Sequence, residues 1–217
     1  MELKDLYIIG AGGLGRDVAW LVERINQVEA TWSIKGFIDD NTSIQGHTED
    51  DYPVVGGTGY LLKQQKEIWV ICAVGSAKIR KNIIEKLQVN PNIRFATVID
   101  PSVILSDRIK IGEGTIICAG TILTVNITIG NHVIINLDCT LGHDDVIEDF
   151  VTIYPSVNVS GNVVVETCAE LGTGMQIIQG KKIGKESILG AGTVVVKDIP
   201  EKCTAVGSPA RVIKGKC

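Results

Sequence analysis

The sequence predicts an α/β domain of the half-Rossmann kind followed by an all-β parallel β-helix. Two patterns carry that prediction. The first is a six-residue recurrence of Ile, Leu or Val from Ile93 to Val195, through Ile99, Leu105, Ile111, Ile117 and onward without a gap. Neither the helical period of 3.6 nor the strand period of 2 produces strict sixes, and a hexapeptide repeat is the mark of a stacked β coil. The second is a glycine-rich loop between an apolar run and a helical pattern near the N-terminus.

In chain order, Leu6–Ile9 reads as a short strand, followed by Gly10-Ala11-Gly12-Gly13-Leu14-Gly15. Val18, Leu21, Val22 and Ile25 then share one face of a helix. Ile34–Ile38 reads as a strand ending at Asp39 and Asp40, residues 41–53 as polar turn, Val54–Val55 as a short strand. Ile68–Val74 is another strand and Ala77–Leu87 a second helix. Alternating strands and helices imply a parallel sheet, and the length allows three or four strands. Asn90-Pro91-Asn92 marks a junction, which divides the chain into residues 1–92 and 93–217.

In the second part each hexad supplies one strand and one turn, and three hexads close a coil of about 18 residues. The first and fifth places point inward, the fifth being mostly small or β-branched, as at Thr97, Val103, Thr115, Thr121, Val133, Cys139, Val151 and Thr193. Asp145 and Lys181 break that rule. Burying charge is costly, so the coil is expected to distort there or turn those side chains outward. Residues 201–217 form a tail containing Gly207-Ser208-Pro209-Ala210-Arg211.

The net charge of −4 gives no reason to expect nucleic acid or an anionic membrane as partner. No apolar stretch approaches a membrane span, and the start of the chain lacks a secretory signal pattern. The six cysteines are scattered without a C-x-x-C pair, which suits free thiols in a reducing cytoplasm.

The hexads together with Gly207-Ser208-Pro209-Ala210-Arg211 resemble the bacterial hexapeptide-repeat acyltransferases. The resemblance implies left-handed β-helices, an exception to the usual right-handed crossover. Adding Tyr7-Ile8-Ile9-Gly10-Ala11-Gly12-Gly13 and Gly36-Phe37-Ile38-Asp39-Asp40, the whole chain resembles the sugar acetyltransferases of the sialic acid O-acetyltransferase family. The UDP-4-amino-sugar N-acetyltransferases of surface glycan synthesis are close relatives. The resemblance implies a homotrimer that moves acetyl from acetyl-CoA directly to a sugar acceptor, in a site between neighbouring β-helices. It implies a small N-terminal domain that holds the nucleotide sugar, and a histidine base followed by an acid. His143 and Asp144 match those two residues, although Asp is one methylene shorter than the common Glu. Asn136, seven residues earlier, matches an acceptor-side asparagine.

Acetyl transfer from a thioester needs a base and a donor for the developing oxyanion. Of the three histidines, His47 sits in a polar loop, His132 takes the outward fourth place of its hexad, and His143 is flanked by acids. One coil on, Gly161 should lie about 4.8 Å from His143, with its N–H open to a thioester carbonyl. CoA is expected along the later coils, with Arg211, Lys214 and Lys216 available for its phosphates. Gly10, Gly12 and Gly15 form G-x-G-x-x-G, with Gly13 opening the helix, and place N–H groups ready for an acceptor phosphate. Asp39 stands where a dinucleotide fold holds a ribose. Asp40 and Gly75 would line the same crevice, and Arg16 and Arg80 would reach phosphate or lie exposed on helices. Cys139 reads as a core thiol. Metal is not implied, because only two histidines lie in the repeat. Transfer to an amine of a UDP-sugar, O-acetylation of a sialic acid, and a non-enzymatic scaffold with a nucleotide-sensing domain remain distinct readings of these residues.

Overall fold

The computed structural model describes residues 3–215, so Lys216 lies outside them. The chain divides into two compact units. One runs to Gly75 and continues with Ile79–Pro101, and the other comprises Ser76–Lys78 and the chain from Ser102 onward.

The first unit is built on β1 (Lys4–Ile9), α1 (Gly13–Val28), β2 (Trp32–Ile38), β3 (Thr48–Glu49), β4 (Tyr52–Gly56), α2 (Thr58–Leu62), β5 (Ile68–Cys72), α3 (Ala77–Leu87) and β6 (Ile93–Phe95). Its sheet has the order β3-β4-β2-β1-β5-β6. All neighbours are parallel except the β3–β4 hairpin. The sheet is wider than the three or four strands expected from length. Two segments account for this. Part of the polar stretch pairs as β3, and Ile93, at the head of the six-residue count, pairs with Ile68 instead of starting a coil. The core is aliphatic: Leu6, Ile8, Phe37, Ile38, Val70 and Ile71 are fully or almost fully buried. From α1 the sheet receives Val18, Ala19, Leu21 and Val22, the helical spacing that puts one apolar stripe against strands. β1 leads to β2 on one side and β5 lies on its other side, so the chain reverses direction across the sheet beside β1. Ligand crevices form at such switch points.

The second unit is a left-handed parallel β-helix. Ile116–Ile117, Ile134–Ile135, Thr152–Ile153, Glu170–Leu171 and Ile188–Leu189 stack on one face. Ile104–Leu105, Ile122–Leu123, Thr140–Leu141, Asn158–Val159, Gln176–Ile177 and Val194–Val195 stack on the second. Lys110–Ile111, Thr128–Ile129, Val146–Ile147, Val164–Val165 and Lys182–Ile183 form the third. Every pairing joins residues 18 apart, as in Ile117↔Ile135. The first-place aliphatics from Ile117 to Val195 are buried. Leu105 in the first coil stays 42% exposed. The tail ends the stack as an antiparallel hairpin of Thr204–Val206 and Arg211–Lys214.

Each corner turns through a residue of positive φ, and these form three columns: Asn126, Asp144, Asn162 and Gly180; Gly114, His132, Phe150, Cys168 and Glu186; Gly120, Asp138, Ser156, Gly174 and Gly192. Asn, Asp and Gly tolerate this conformation best. The second column corrects the expectation for His132. Its ring is 2% exposed and stacks on Phe150, with centroids 5.1 Å apart. On its other side a Cβ on Gly114 would strike the imidazole. Eighteen-residue stacking turns an outward place into a covered one whenever large rings follow each other.

Asp145 also departs from expectation. It neither bends the coil nor turns outward: Val146–Ile147 keeps its register with both neighbours, and Asp145 is 0% exposed. Its Oδ1 accepts the Val163 N–H at 2.8 Å, which provides for a donor that the interior would otherwise leave unmet. Lys181, in the same inward place two coils later, is half-buried.

Gly15 shows how closely α1 approaches β1. A Cβ there would collide with the Gly10 carbonyl, whereas a Cβ on Gly13 meets nothing. Gly15→Ala is therefore expected to destabilise the chain by roughly 1–3 kcal/mol, the usual cost of overpacking. Gly13→Ala should leave the midpoint of denaturant unfolding unchanged or raised. Equal midpoints for the two variants would refute the close-approach reading.

Candidate active site

His143 follows the strand Thr140–Leu141 and opens a corner of the coil. The next residue, Asp144, has φ 62, and this left-handed turn brings its short side chain back beside the ring. Asp144 Oδ2 lies 2.8 Å from His143 Nδ1, so the missing methylene does not prevent the contact. The bond to His143, and a second from Asn126 Nδ2 at 3.2 Å, hold the Asp144 carboxyl below its ordinary range. A carboxylate on Nδ1 favours the tautomer with its proton there. Nε2 is then a lone-pair acceptor, as a general base requires. The ring side is 59% exposed.

The ring lies over Gly161. A Cβ built on Gly161 would sit 2.6 Å from both Cε1 and Nε2 of His143. One coil of register thus places the glycine against the imidazole, and no other residue type fits beneath it. The Gly161 carbonyl accepts from Gly180 N–H at 3.0 Å, and its own N–H has no protein acceptor among the described residues. Below it, a Cβ on Gly142 would strike Gly161 N. Two glycines one coil apart therefore let the backbone close up under the histidine. Asn136 stands one corner upstream, where its Oδ1 accepts the Leu137 N–H at 2.7 Å. Arg211 and Lys214 lie exposed on the tail hairpin.

The α/β unit gathers the other expected residues around a cavity of about 250 Å³ at the ends of β1, β2 and β5. Gly10, Asp39, Asp40, Thr58 and Val74 line it, with Ile38, Ile79 and Ile83 as apolar walls. Gly10 takes φ +96 to turn the chain out of β1. Gly12 caps α1 without any side-chain bond, leaving the helix N-terminus open. Asp39 accepts backbone N–H groups from Ala11 at 3.1 Å and Asn41 at 2.9 Å. A carboxylate has further lone pairs, so these bonds fix Asp39 without exhausting it. Asp40 accepts from Thr58 N at 2.7 Å and Thr58 Oγ1 at 3.2 Å, which anchors the start of α2.

The arginines correct the sequence expectation. Arg80 is fully buried and donates to the carbonyls of Val74 at 2.6 Å and Gly75 at 3.1 Å. It fixes the β5–α3 loop, of which Gly75 is part, and is neither an exposed helix residue nor a phosphate ligand. Arg16 lies near Glu49 and Asp50, at 4.0 and 3.5 Å. Cys139 is buried as a core thiol and raised to about 11 by that burial. Sequence reasoning did not find Asn126, Thr58 or the buried state of Asp145. Asn126 was recoverable, because it stands 18 residues before Asp144. Thr58 was not, since its bond to Asp40 depends on sheet order.

An N-terminal family model, the PglD N-terminal domain, matches residues 5–87. GDP-perosamine N-acetyltransferase of Escherichia coli O157:H7 is 30% identical over 218 residues, covering 97% of each chain. The acetyltransferase domain of PglB from Neisseria gonorrhoeae FA1090, solved with acetyl coenzyme A, superposes with a TM-score of 0.88 at 29% identity over 98% of this chain and all of that one. A His-to-Asn mutant of perosamine N-acetyltransferase from Caulobacter crescentus, solved with CoA and GDP-perosamine, gives 0.86 at 28% identity over 99% of both chains. The fold and the His–Asp pair define a hexapeptide-repeat acyltransferase. The chain belongs to the hexapeptide-repeat sugar acetyltransferase family. Among the described residues, no helix is long and apolar enough to cross a membrane.

Gly161→Ala should push the imidazole off its seat without touching any charged group. A displacement on the ångström scale is enough for roughly a 10²-fold loss of turnover. Steady-state kinetics that leave kcat within about twofold of the unaltered enzyme would remove Gly161 from the site.

Proposed function

We propose that this chain transfers acetyl from acetyl-CoA to the amine of a nucleoside-diphosphate amino sugar. The observation that carries the reading is the His143 ring, fixed at Nδ1 by Asp144 and stacked on Gly161 with Nε2 free. The sugar amine attacks the thioester carbonyl carbon and a C–N bond forms. His143 Nε2 takes the amine proton, and the Gly161 N–H faces the oxyanion. The tetrahedral intermediate then collapses, the C–S bond breaks, and the imidazolium returns its proton to the CoA thiolate. Asp144 holds the tautomer and offsets the imidazolium charge. CoA runs along the later coils toward Arg211 and Lys214. The acceptor diphosphate lies at the open N-terminus of α1, beside Gly10, Gly12, Gly13 and Gly15. Its ribose meets Asp39, and Asp40, Gly75 and Asn136 complete the acceptor surroundings.

An amine acceptor is favoured over the hydroxyl of a sialic acid by the N-acetyltransferase relatives of Escherichia and Caulobacter. Those names print a GDP-linked amino sugar, while the glycine loop suits any nucleoside diphosphate, including UDP. The test is a thiol-release screen with acetyl-CoA and UDP-linked and GDP-linked 4-amino sugars, with sialic acid as the hydroxyl arm. Turnover of sialic acid alone would overturn the amine reading. His143→Ala should reduce turnover of the best acceptor by roughly 10²–10⁴-fold, typical for loss of a general base, with acetyl-CoA binding retained. Unchanged activity would sink the base assignment.

The working species is a homotrimer in this reading. The ring of His143 is more than half exposed, and Ile122, Val125 and Leu137 around this part of the coil are 38–39% exposed. A neighbouring coil would cover that apolar strip and exclude water from the thioester, and closed cyclic assemblies bury such faces. Light scattering with activity across a dilution series should show specific activity falling as the trimer dissociates. A monomer with full specific activity would contradict the shared site.

A further inference from the structure

Asp145 sits next to the His–Asp pair, yet its chemistry belongs to the interior of the coil. It is 0% exposed, and its Oδ2 has no hydrogen-bond partner. The column it occupies is otherwise apolar on both sides, with Ile127 one coil before and Val163 one coil after, each fully buried. The repeat supplies an internal precedent for such a group. Thr115, in the same inward place of an earlier hexad, accepts the N–H of Val133, 18 residues on, at 3.2 Å. It also donates its hydroxyl to the carbonyl of Gly130, 15 residues on, at 3.1 Å. Thr121 and Cys139 donate to the same relative carbonyl, Asn136 and Tyr154. Asp145 already makes the first half of this pattern, accepting from Val163 N–H, 18 residues on. The carbonyl 15 residues on is that of Ser160, which has no other donor among the described residues. Ser160 C=O and Gly161 N–H belong to one peptide group, the group that lies under the ring of His143.

We infer that Asp145 is a positioning residue held as the neutral acid, whose Oδ2–H bonds the Ser160 carbonyl and so orients and polarises the Gly161 N–H toward the thioester oxyanion. A hydrogen bond on the carbonyl of a peptide strengthens the donor at its other end. The neutral acid has one donor and one acceptor, and these match the Ser160 carbonyl and the Val163 N–H. The ionised form would face the Ser160 carbonyl with two acceptors and bury an unpaired charge. Burial raises Asp145 from its ordinary 3.8 to about 7, opposed by the Val163 and Gly142 backbone bonds and by His143, and assisted by Asp144. These are the charged groups near it on its own corner. Its column neighbours Ile127 and Val163 carry none, the next group in the column is Lys181 two coils on, and Cys139 in the same coil stays a thiol at neutral pH. The inference rests on the acetyl-transfer reading for the purpose of the donor, but not for the proton.

The sign follows from the raised value. Between about 4 and 7 the folded chain keeps the proton and the unfolded chain releases it, so the contribution of Asp145 to stability falls across that window and is level above it. Asp145→Asn reproduces the neutral acid, with Nδ2–H toward Ser160 and Oδ1 toward Val163. Asp145→Val matches the column in shape and removes both bonds. In a His143→Gln background, which removes the titration of the ring itself, the Gly161 amide proton should shift with pH around 7. That shift should vanish when Asp145→Asn is added. In thiol-release kinetics, the turnover ratio of Asp145→Asn to the unaltered enzyme should be near one on the acid side of neutrality and rise severalfold by pH 8.5. Asp145→Val should lose turnover throughout that range. Melting of Asp145→Asn should gain on the unaltered chain as pH rises from about 4 to 7. A Gly161 amide that does not titrate, a titration that survives Asp145→Asn, or a flat turnover ratio would each overturn the inference. If no acceptor is turned over, the acetyl-transfer reading fails instead, and the amide titration still decides the proton on Asp145.

Discussion

The constraint on which the second unit depends is its register. Parallel backbone hydrogen bonds join each strand to the strand 18 residues later, and the corner bonds follow the same rule. Asp144 N–H reaches Val125, Asn162 N–H reaches His143, and Gly180 N–H reaches Gly161, at 3.1, 2.8 and 3.0 Å. A residue in this coil therefore has two obligatory neighbours that are remote in sequence but fixed in number. His143 must lie over Gly161, Asp144 beside Asn126, and Asp145 against Val163. Placement of these groups is a property of the main chain, so it does not depend on side chains finding one another. That is a rigid way to hold a base and a donor at the separation catalysis needs.

The corners explain why an aspartate can do what a longer acid does. At φ 62 the backbone of Asp144 is already turned back on itself, and its carboxylate needs little reach to meet Nδ1. The same geometry makes Asn a natural occupant of the place one coil before, where its amide donates to Asp144. Three neighbouring residues of one corner thus take three environments. His143 is exposed, Asp144 is held as an anion by two donors, and Asp145 is buried and raised toward neutrality by desolvation. Two adjacent carboxyls driven in opposite directions are what a site needs to keep one acid charged and another neutral at the same pH.

Much of this was legible in the residues because the repeat is arithmetic. The coil, the inward places, the His143–Gly161 stack and the glycine turn after β1 all follow from counting. The failures share a cause as well. His132 was assigned by its hexad place alone, and the stacking of Phe150 on one side against Gly114 on the other was left out. Asp145 was judged by the cost of a buried charge, without allowing the group to give the charge up. In the α/β unit nothing repeats, so counting has no purchase there. The widened sheet, the burial of Arg80 against the Val74 and Gly75 carbonyls, and the Thr58 anchor for Asp40 come from strand order and loop packing, which leave no periodic trace.

The two units also divide the burden of specificity differently. In the coil, the reacting end of the acceptor would meet a glycine, a histidine ring and main-chain N–H groups, none of which distinguishes one sugar from another. In the α/β unit, the cavity is walled by Ile38, Ile79 and Ile83 and edged by two aspartates whose positions are pinned by backbone and threonine donors. Fixed acceptors beside an apolar wall can discriminate hydrogen-bonding edges, because a mismatched ligand leaves a buried polar group unpaired. Changing acceptor preference therefore calls for substitutions at the ends of β1, β2 and β5. Changing the rate of transfer calls for substitutions in one corner of the coil. The fixed register makes the second set small: the corner of His143 and the residues one coil to either side of it.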